Sequence, residues 1–258
     1  MSNNLRVNDD IPGVRRLTLS RPERMNALDG ELLSALNRAI HECSNPELNI
    51  RVVVITGTGR AFCAGNDLKW LASGILSDPA AHQQHQDLMQ DTYLSIEAAK
   101  QIVIASVNGY AVAGGFELAL ACDIIVADEA AELGDEHMRR NLLPSGGSSQ
   151  RLPKLIGLSR AMFYLVTGRR MTGREAERIG LASVAVPAAE LESTTMALAN
   201  EIAGADARAL ASMKFMARRS LELPLKDGLA LERWMQYRYR TESPSLEAGV
   251  RRFAEHGK

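Results

Sequence analysis

The chain has 258 residues, 46% hydrophobic and 24% charged, which is enough to bury a sizeable core and excludes a disordered or fibrous composition. Lys and Arg number 30 against 31 Asp and Glu, giving a net charge of −1, so no global field holds nucleic acid or an anionic membrane, and neither is an expected partner. Met1–Asp10 is polar without the apolar stretch of a signal peptide, and no apolar run approaches the ~20 residues of a membrane span, so the cytoplasm is the expected compartment.

In chain order, Val14 to Ser20 alternates apolar and polar residues as an edge strand does, and Arg21-Pro22 ends it. Asp29 then reads as an N-cap for a helix whose apolar stripe is Leu32, Leu33, Leu36, Ile40 and Cys43. Arg51 to Thr56 is a β-branched run, the pattern of a strand buried on both faces. A glycine-bearing loop, Gly57 to Gly65, leads into a helix starting near Asp67, and Pro79 to Lys100 is polar and helical in character. Ile102 to Val107 is another buried strand, closed by Asn108-Gly109. Phe116 to Cys122 reads as a short buried helix and Asp123 to Ala127 as a strand.

After Pro144 the pattern is helical, over 148–156, 159–166, 173–179, 191–203, 206–219 and 225–240. Ser243-Pro244 predicts the start of a last helix through Glu255. No Gly/Ser/Pro-rich linker separates the halves, so the tail is expected to pack on the core or on a neighbouring subunit. No repeat of fixed period is visible. Cys43, Cys63 and Cys122 match neither a disulfide framework nor a metal pair and read as reduced core residues.

The strongest constellation is Ser106 to Glu117 (SVNGYAVAGGFE), a strand running through a glycine-bearing turn into a helix. A dinucleotide fingerprint needs GxGxxG directly after its strand, and a phosphate loop needs Lys-Ser/Thr after its last glycine; both are missing. What remains is a helix N-terminus whose free N–H groups meet a ligand oxygen, with Gly114 allowing close approach. Glu117 falls in the first turn, either beside that ligand or merely complementing the helix dipole. Arg60 to Lys69 (RAFCAGNDLK) is a second loop that opens a helix and offers a second backbone donor, a common α/β feature when taken alone.

Together the two segments resemble the enoyl-CoA hydratase/isomerase family, the crotonases. The resemblance extends to Ser20–Leu28 (SRPERMNAL), to Leu143–Leu152 (LPSGGSSQRL), and to Thr167-Gly168 and Gly180-Leu181-Ala182, covering about Val14 to Pro187. It implies an α/β spiral of ββα units over residues 1–195 with the active site, and a C-terminal helical trimerisation region over 196–258, in homotrimers or dimers of trimers. Asn66, where the family usually carries alanine, and Gly114 would supply the backbone N–H groups of an oxyanion hole. An acyl-CoA substrate would lie along Arg24, Ala27, Ala64, Asp67, Leu68 and Lys69, with no cofactor beyond that coenzyme A and no metal.

The family's hydratases use two glutamates. Glu117 fills the first position. The family segment F-G-x-P-E aligns on Leu133-Gly134-Asp135-Glu136-His137, so the second is replaced by His137, unless a one-residue shift brings in Glu136. Histidine, with an unperturbed pKa of about 6.5, can act as acid or base near neutrality. Ser145 stands where such enzymes tend to have glycine, and its side chain is expected to intrude on the site. His82 and His85, at i and i+3, lack a third ligand nearby and read as solvated surface. The expected activity is hydration or dehydration of a 2-enoyl-CoA through a thioester enolate. Double-bond isomerisation, thioester hydrolysis and an impaired acyl-CoA-binding homologue are the alternatives.

Overall fold

Val52–Gly57 (β3) lies parallel between Val14–Leu19 (β2) and Ile102–Val107 (β5), so both of its edges are paired. In the computed structural model, which describes residues 4–243 and 245–256, these strands belong to a six-stranded sheet of order β1-β2-β3-β5-β7-β10. Its other members are Leu5–Ile11 (β1), Ile124–Asp128 (β7) and Val184–Val186 (β10). A second sheet has the order β4-β6-β8-β9, from Ala61–Cys63 (β4), Tyr110–Val112 (β6), Glu132–Gly134 (β8) and Met171–Thr172 (β9).

The two sheets grow together. β3 turns into β4, β5 into β6 and β7 into β8, and each pair is followed by helix: Leu68–Trp70 (α2) and Pro79–Ala98 (α3), then Gly114–Ala121 (α4), then Ser148–Ile156 (α5). Three ββα units thus stack with β3, β5 and β7 parallel in one sheet and β4, β6 and β8 parallel in the other, the spiral that the resemblance implied. The units start at residues 52, 102 and 124, because α3 is inserted in only one of them, and so no period is visible in the sequence. Asn108 fixes one strand-to-strand turn: its Oδ1 accepts from Gly57 N at 3.1 Å and its Nδ2 donates to Gly59 O at 2.9 Å.

Both faces of the larger sheet are covered, which is why its parallel strands read as unbroken apolar runs. Leu17, Val53, Ile55, Val103, Ala105 and Val107 meet a core shared with Gly30–Glu42 (α1), α3 and α4. The alternate residues Val14, Val52, Val54, Ile104 and Val126 meet Leu191, Ala199 and Ala203 of Ala188–Ala203 (α8). A domain boundary after residue 195 would fall inside α8. Asp29 caps α1 as expected, accepting from Leu32 N at 2.8 Å.

Leu158–Thr167 (α6) and Gly173–Arg178 (α7) complete the core. Ala207–Arg219 (α9), Leu225–Glu242 (α10) and Ser245–His256 (α11) form the tail. α9 is tied to the core by polar contacts. Lys214 Nζ donates to Ile96 O at 2.8 Å and Gln101 O at 2.9 Å and pairs with Asp123 at 2.8 Å, while Arg218 bridges Glu97 and Asp123. Pro244, part of the expected start of α11, lies outside the described residues.

The edge of the sheet is β1, antiparallel to β2; β2, read as the edge strand, lies inside the sheet against β3. β1 has no apolar signature because only Leu5 in it is buried. Cys43, Cys63 and Cys122 are free and buried, as expected.

The packing of α4 on β4 depends on a missing side chain. A Cβ on Gly115 would stand 2.0 Å from the carbonyl oxygen of Cys63, which is backbone and has no rotamer to move. Gly115→Ala is expected to destabilise the fold by about 2 kcal/mol or more, measured as the change in denaturant midpoint; an unchanged midpoint contradicts this packing.

Candidate active site

Two loops far apart in sequence meet through bare backbone. A Cβ on Gly114 would lie 3.2 Å from Gly65 Cα and 3.5 Å from Asn66 N, and a Cβ on Gly65 would lie 2.6 Å from Gly114 N. Leu28 forms a parallel bridge to Asn66: Leu28 N donates to Gly65 O at 2.8 Å and Asp67 N donates to Leu28 O at 2.9 Å. That pattern uses the groups on either side of Asn66 and turns its own N–H away from Leu28. Gly114 is the first residue of α4, where N–H groups have no partner within the helix. Both amides expected to form the oxyanion hole are therefore brought together.

The backbone here is strained. Ala113, before Gly114, has φ 49° and ψ −124°, a conformation that costs a non-glycine residue on the order of 1–3 kcal/mol. It is held by its N–H donating to Gly134 O at 3.0 Å and its carbonyl accepting from Glu117 N at 3.0 Å. Tyr93, fully buried on α3, donates from its hydroxyl to Gly114 O at 2.7 Å.

Glu117 projects from the first turn of α4 and is 1% exposed. Its Oε1 accepts from Ser148 N at 3.1 Å, and a Cβ on Gly146 would stand 2.6 Å from its Oε2. Burial raises the Glu117 pKa above the ordinary carboxylate range; the Ser148 N–H and the His137 charge oppose that rise, and the Asp135 charge adds to it. Gly146, not Ser145, is the residue packed on the carboxylate. Ser145 turns to α3 instead of intruding: its Oγ donates to Gln86 Oε1 at 2.7 Å and its carbonyl accepts from Gln90 Nε2 at 2.9 Å.

The segment after β8 settles which side chains face inward. Glu136 has φ 55°, a left-handed turn that divides its neighbours. Its carboxylate is engaged by Arg139 at 2.8 Å and Arg170 at 2.6 Å, which lower its pKa against the opposing effect of burial. Asp135, 1% exposed, accepts at Oδ1 from the Ser148 hydroxyl and from His137 Nδ1 at 3.0 Å. Burial would lower the His137 pKa, but the hydrogen bond and charge of Asp135, with the charge of Glu117, raise it overall. Ser148 thus joins two carboxylates, Glu117 through its N–H and Asp135 through its hydroxyl, and Asp135 holds the imidazole. Asp135 and Ser148 were not singled out from sequence.

His85, read as solvated surface, is 4% exposed, and its Nε2 lies 3.0 Å from Asn66 Oδ1. Trp70 packs edge-on against its ring with centroids 4.8 Å apart. The polar composition around His85 hides the inward face of α3, which also carries Met89, Thr92, Tyr93 and Ile96.

The expected coenzyme A residues lie together beside Asn66. Asp67 N-caps α2 by accepting from Lys69 N at 3.1 Å and Trp70 N at 3.2 Å, and it pairs with Arg21 at 2.9 Å, so its carboxylate is occupied. Arg21 also pairs with Asp29 at 3.0 Å and donates to Ala27 O, tying Ala27 to the same loop; sequence reasoning passed over it. Ala64 N donates to Met25 O at 3.0 Å. Arg24, Leu68 and Lys69 are exposed.

A family model described as enoyl-CoA hydratase/isomerase matches residues 10–258. YngF of Bacillus subtilis (strain 168), named for an enoyl-CoA hydratase/isomerase, is 39% identical over 240 residues, 93% of this chain and 90% of that protein. The crystal structure of an enoyl-CoA hydratase from Bacillus anthracis superposes with TM-score 0.93 at 34% identity, covering 98% of this chain and 96% of that one. A Geobacillus kaustophilus HTA426 structure titled as an enoyl-CoA hydratase subunit gives 0.90 at 35%, covering 99% and 96%.

Asp135→Asn removes the negative charge that raises the pKa of both His137 and Glu117 and keeps an oxygen that can accept. The His137 and Glu117 pKa values are both expected to fall, which NMR titration of the imidazole follows. An unmoved His137 titration contradicts the pairing.

Proposed function

Because the chain belongs to the enoyl-CoA hydratase/isomerase family, we propose that it adds water across the double bond of a 2-enoyl-CoA, with Glu117 and His137 as its acid–base pair. The observation that carries this reading is the chain of contacts Glu117–Ser148–Asp135–His137 beside the two converging amides. Isomerisation needs one group to move a proton between carbons. Hydration needs two, one for water and one for C2.

The thioester carbonyl accepts from the N–H groups of Asn66 and Gly114. Each such preorganised donor stabilises a developing oxyanion by about 3–4 kcal/mol where measured. The Glu117 carboxylate takes a proton from water as the water oxygen bonds to C3, and the C2=C3 electrons move into the thioester as an enolate. The His137 imidazolium then protonates C2 and the enolate returns to the thioester. Proton exchange with solvent restores both groups. Glu117 must be ionised and His137 protonated, so activity falls as pH drops through the raised Glu117 pKa and as pH rises through the raised His137 pKa. Glu136, bound by two arginines, takes no part in this scheme.

Coenzyme A lies along Ala27, Ala64, Asp67 and Leu68 in this reading, with backbone groups reading the adenine and the exposed Arg24 and Lys69 meeting phosphates. This lets a chain with net charge −1 hold a polyanion. Homotrimers or dimers of trimers are part of the same proposal. None of the side chains described in α10 is buried, and Leu225 (78%), Trp234 (52%) and Tyr237 (63%) are exposed, which a neighbouring subunit would cover.

Crotonyl-CoA is expected to lose its conjugated-thioester absorbance with the wild type, and Glu117→Gln is expected to lower that rate at least ~100-fold while acyl-CoA binding persists. A 3-enoyl-CoA gaining conjugation while crotonyl-CoA is untouched would make the protein an isomerase. Undiminished hydration by Glu117→Gln contradicts the scheme. Light scattering is expected to give three or six times the 28.1 kDa chain mass; a monomer contradicts the assembly.

A further inference from the structure

The residue that offers a backbone N–H to the thioester carbonyl carries a carboxamide where alanine would serve the hole equally well. That carboxamide is not free to rotate. Its Oδ1 lies 3.0 Å from Nε2 of His85, a residue 4% exposed and held by Trp70. Burial lowers the His85 pKa, with the His82 charge acting in the same direction and the Asp29 charge opposing both, so the ring is neutral near pH 7 and has one N–H to give. Directed from Nε2 to Asn66 Oδ1, that N–H leaves Nδ1 as a buried nitrogen without a hydrogen-bond partner. The dyad is therefore built at the expense of one unsatisfied ring atom, a feature that packing alone would remove with a phenylalanine.

With Oδ1 taken, the Asn66 amide nitrogen presents its two donors away from His85. Asn66 is half-buried, and its Nδ2 has neither a hydrogen-bond partner among the described residues nor a place among the buried unpartnered atoms, so solvent reaches it. We propose that this carboxamide, oriented by His85, recognises an oxygen substituent on the acyl chain, so that the preferred acyl group is oxo- or hydroxy-substituted and not plain hydrocarbon. The inference rests on the reading that a thioester carbonyl sits between the amides of Asn66 and Gly114.

Geometry limits where that oxygen sits. The side chain belongs to the same residue as the hole N–H, so it reaches atoms only a few bonds from the carbonyl. C2 and C3 are the reacting carbons, which leaves C4 or its neighbour. Charge limits its type. The cluster of Asn66, His85 and Trp70 offers neutral donors and no cation, which suits a keto or hydroxyl oxygen and not a carboxylate.

The test uses esters that can be neither hydrated nor dehydrated: 4-oxopentanoyl-CoA and 4-methylpentanoyl-CoA, equal in heavy atoms and differing in one acceptor. The wild type is expected to bind the oxo ester about tenfold more tightly by calorimetry, the size of one hydrogen bond between neutral groups. Asn66→Ala, which keeps the backbone N–H, is expected to bring the ratio of the two dissociation constants near one, and His85→Phe to lower it. Measuring a ratio within one protein cancels any loss of folded material. Equal wild-type affinities, or a ratio unchanged by Asn66→Ala, overturn the inference alone. Failure of both esters to bind overturns it together with the thioester reading.

Discussion

The close approach of two backbone segments, Gly65-Asn66 and Ala113-Gly114, is the constraint on which the rest of the molecule depends. Side chains at Gly65 or Gly114 would fill the space where the two amides meet, and one at Gly115 would collide with Cys63. The pairing of β4 with β6 brings the segments side by side, and the spiral of ββα units exists to hold that pairing inside a core covered on both faces. Strain at Ala113 is stored here and carried by neighbours that leave it no alternative.

A single helix braces this arrangement. α3 reaches the Gly114 carbonyl with Tyr93 and the Asn66 carboxamide with His85, two turns apart on its buried face. On the other side of Glu117, Ser148 links the carboxylate to Asp135 and through it to His137. Carboxylates at 1% exposure are costly to bury, and here Ser148, at the start of α5, donates to one oxygen of each, while Asp135 Oδ2 stays buried without a partner among the described residues. The charge pattern of two acids around one imidazole follows from that packing.

Much of this was legible in the residues. The glycine loops and the place of Glu117 in a first helical turn are local features; the roles of Glu117 and of the Asn66 and Gly114 amides are implied by the resemblance to the family. Asp135 was not, because which of Asp135, Glu136 and His137 points inward is decided by the left-handed backbone at Glu136, and that turn is fixed by Arg139 and Arg170. His85 differs from its expected place for a related reason: it sits among polar residues, and its inward direction is set by contact with Asn66, distant in sequence. β1 escaped notice because an edge strand can expose nearly all its side chains. Local chemistry was readable; directions set by contacts between distant segments were not.

The central claim is that the amides of Asn66 and Gly114 grip one carbonyl oxygen. The 13C NMR resonance of a saturated acyl-CoA labelled at the thioester carbonyl tests it without requiring turnover. Two donors polarising that carbonyl move the bound resonance downfield of the free ester. A bound ester whose carbonyl resonance stays at its free position would contradict the account.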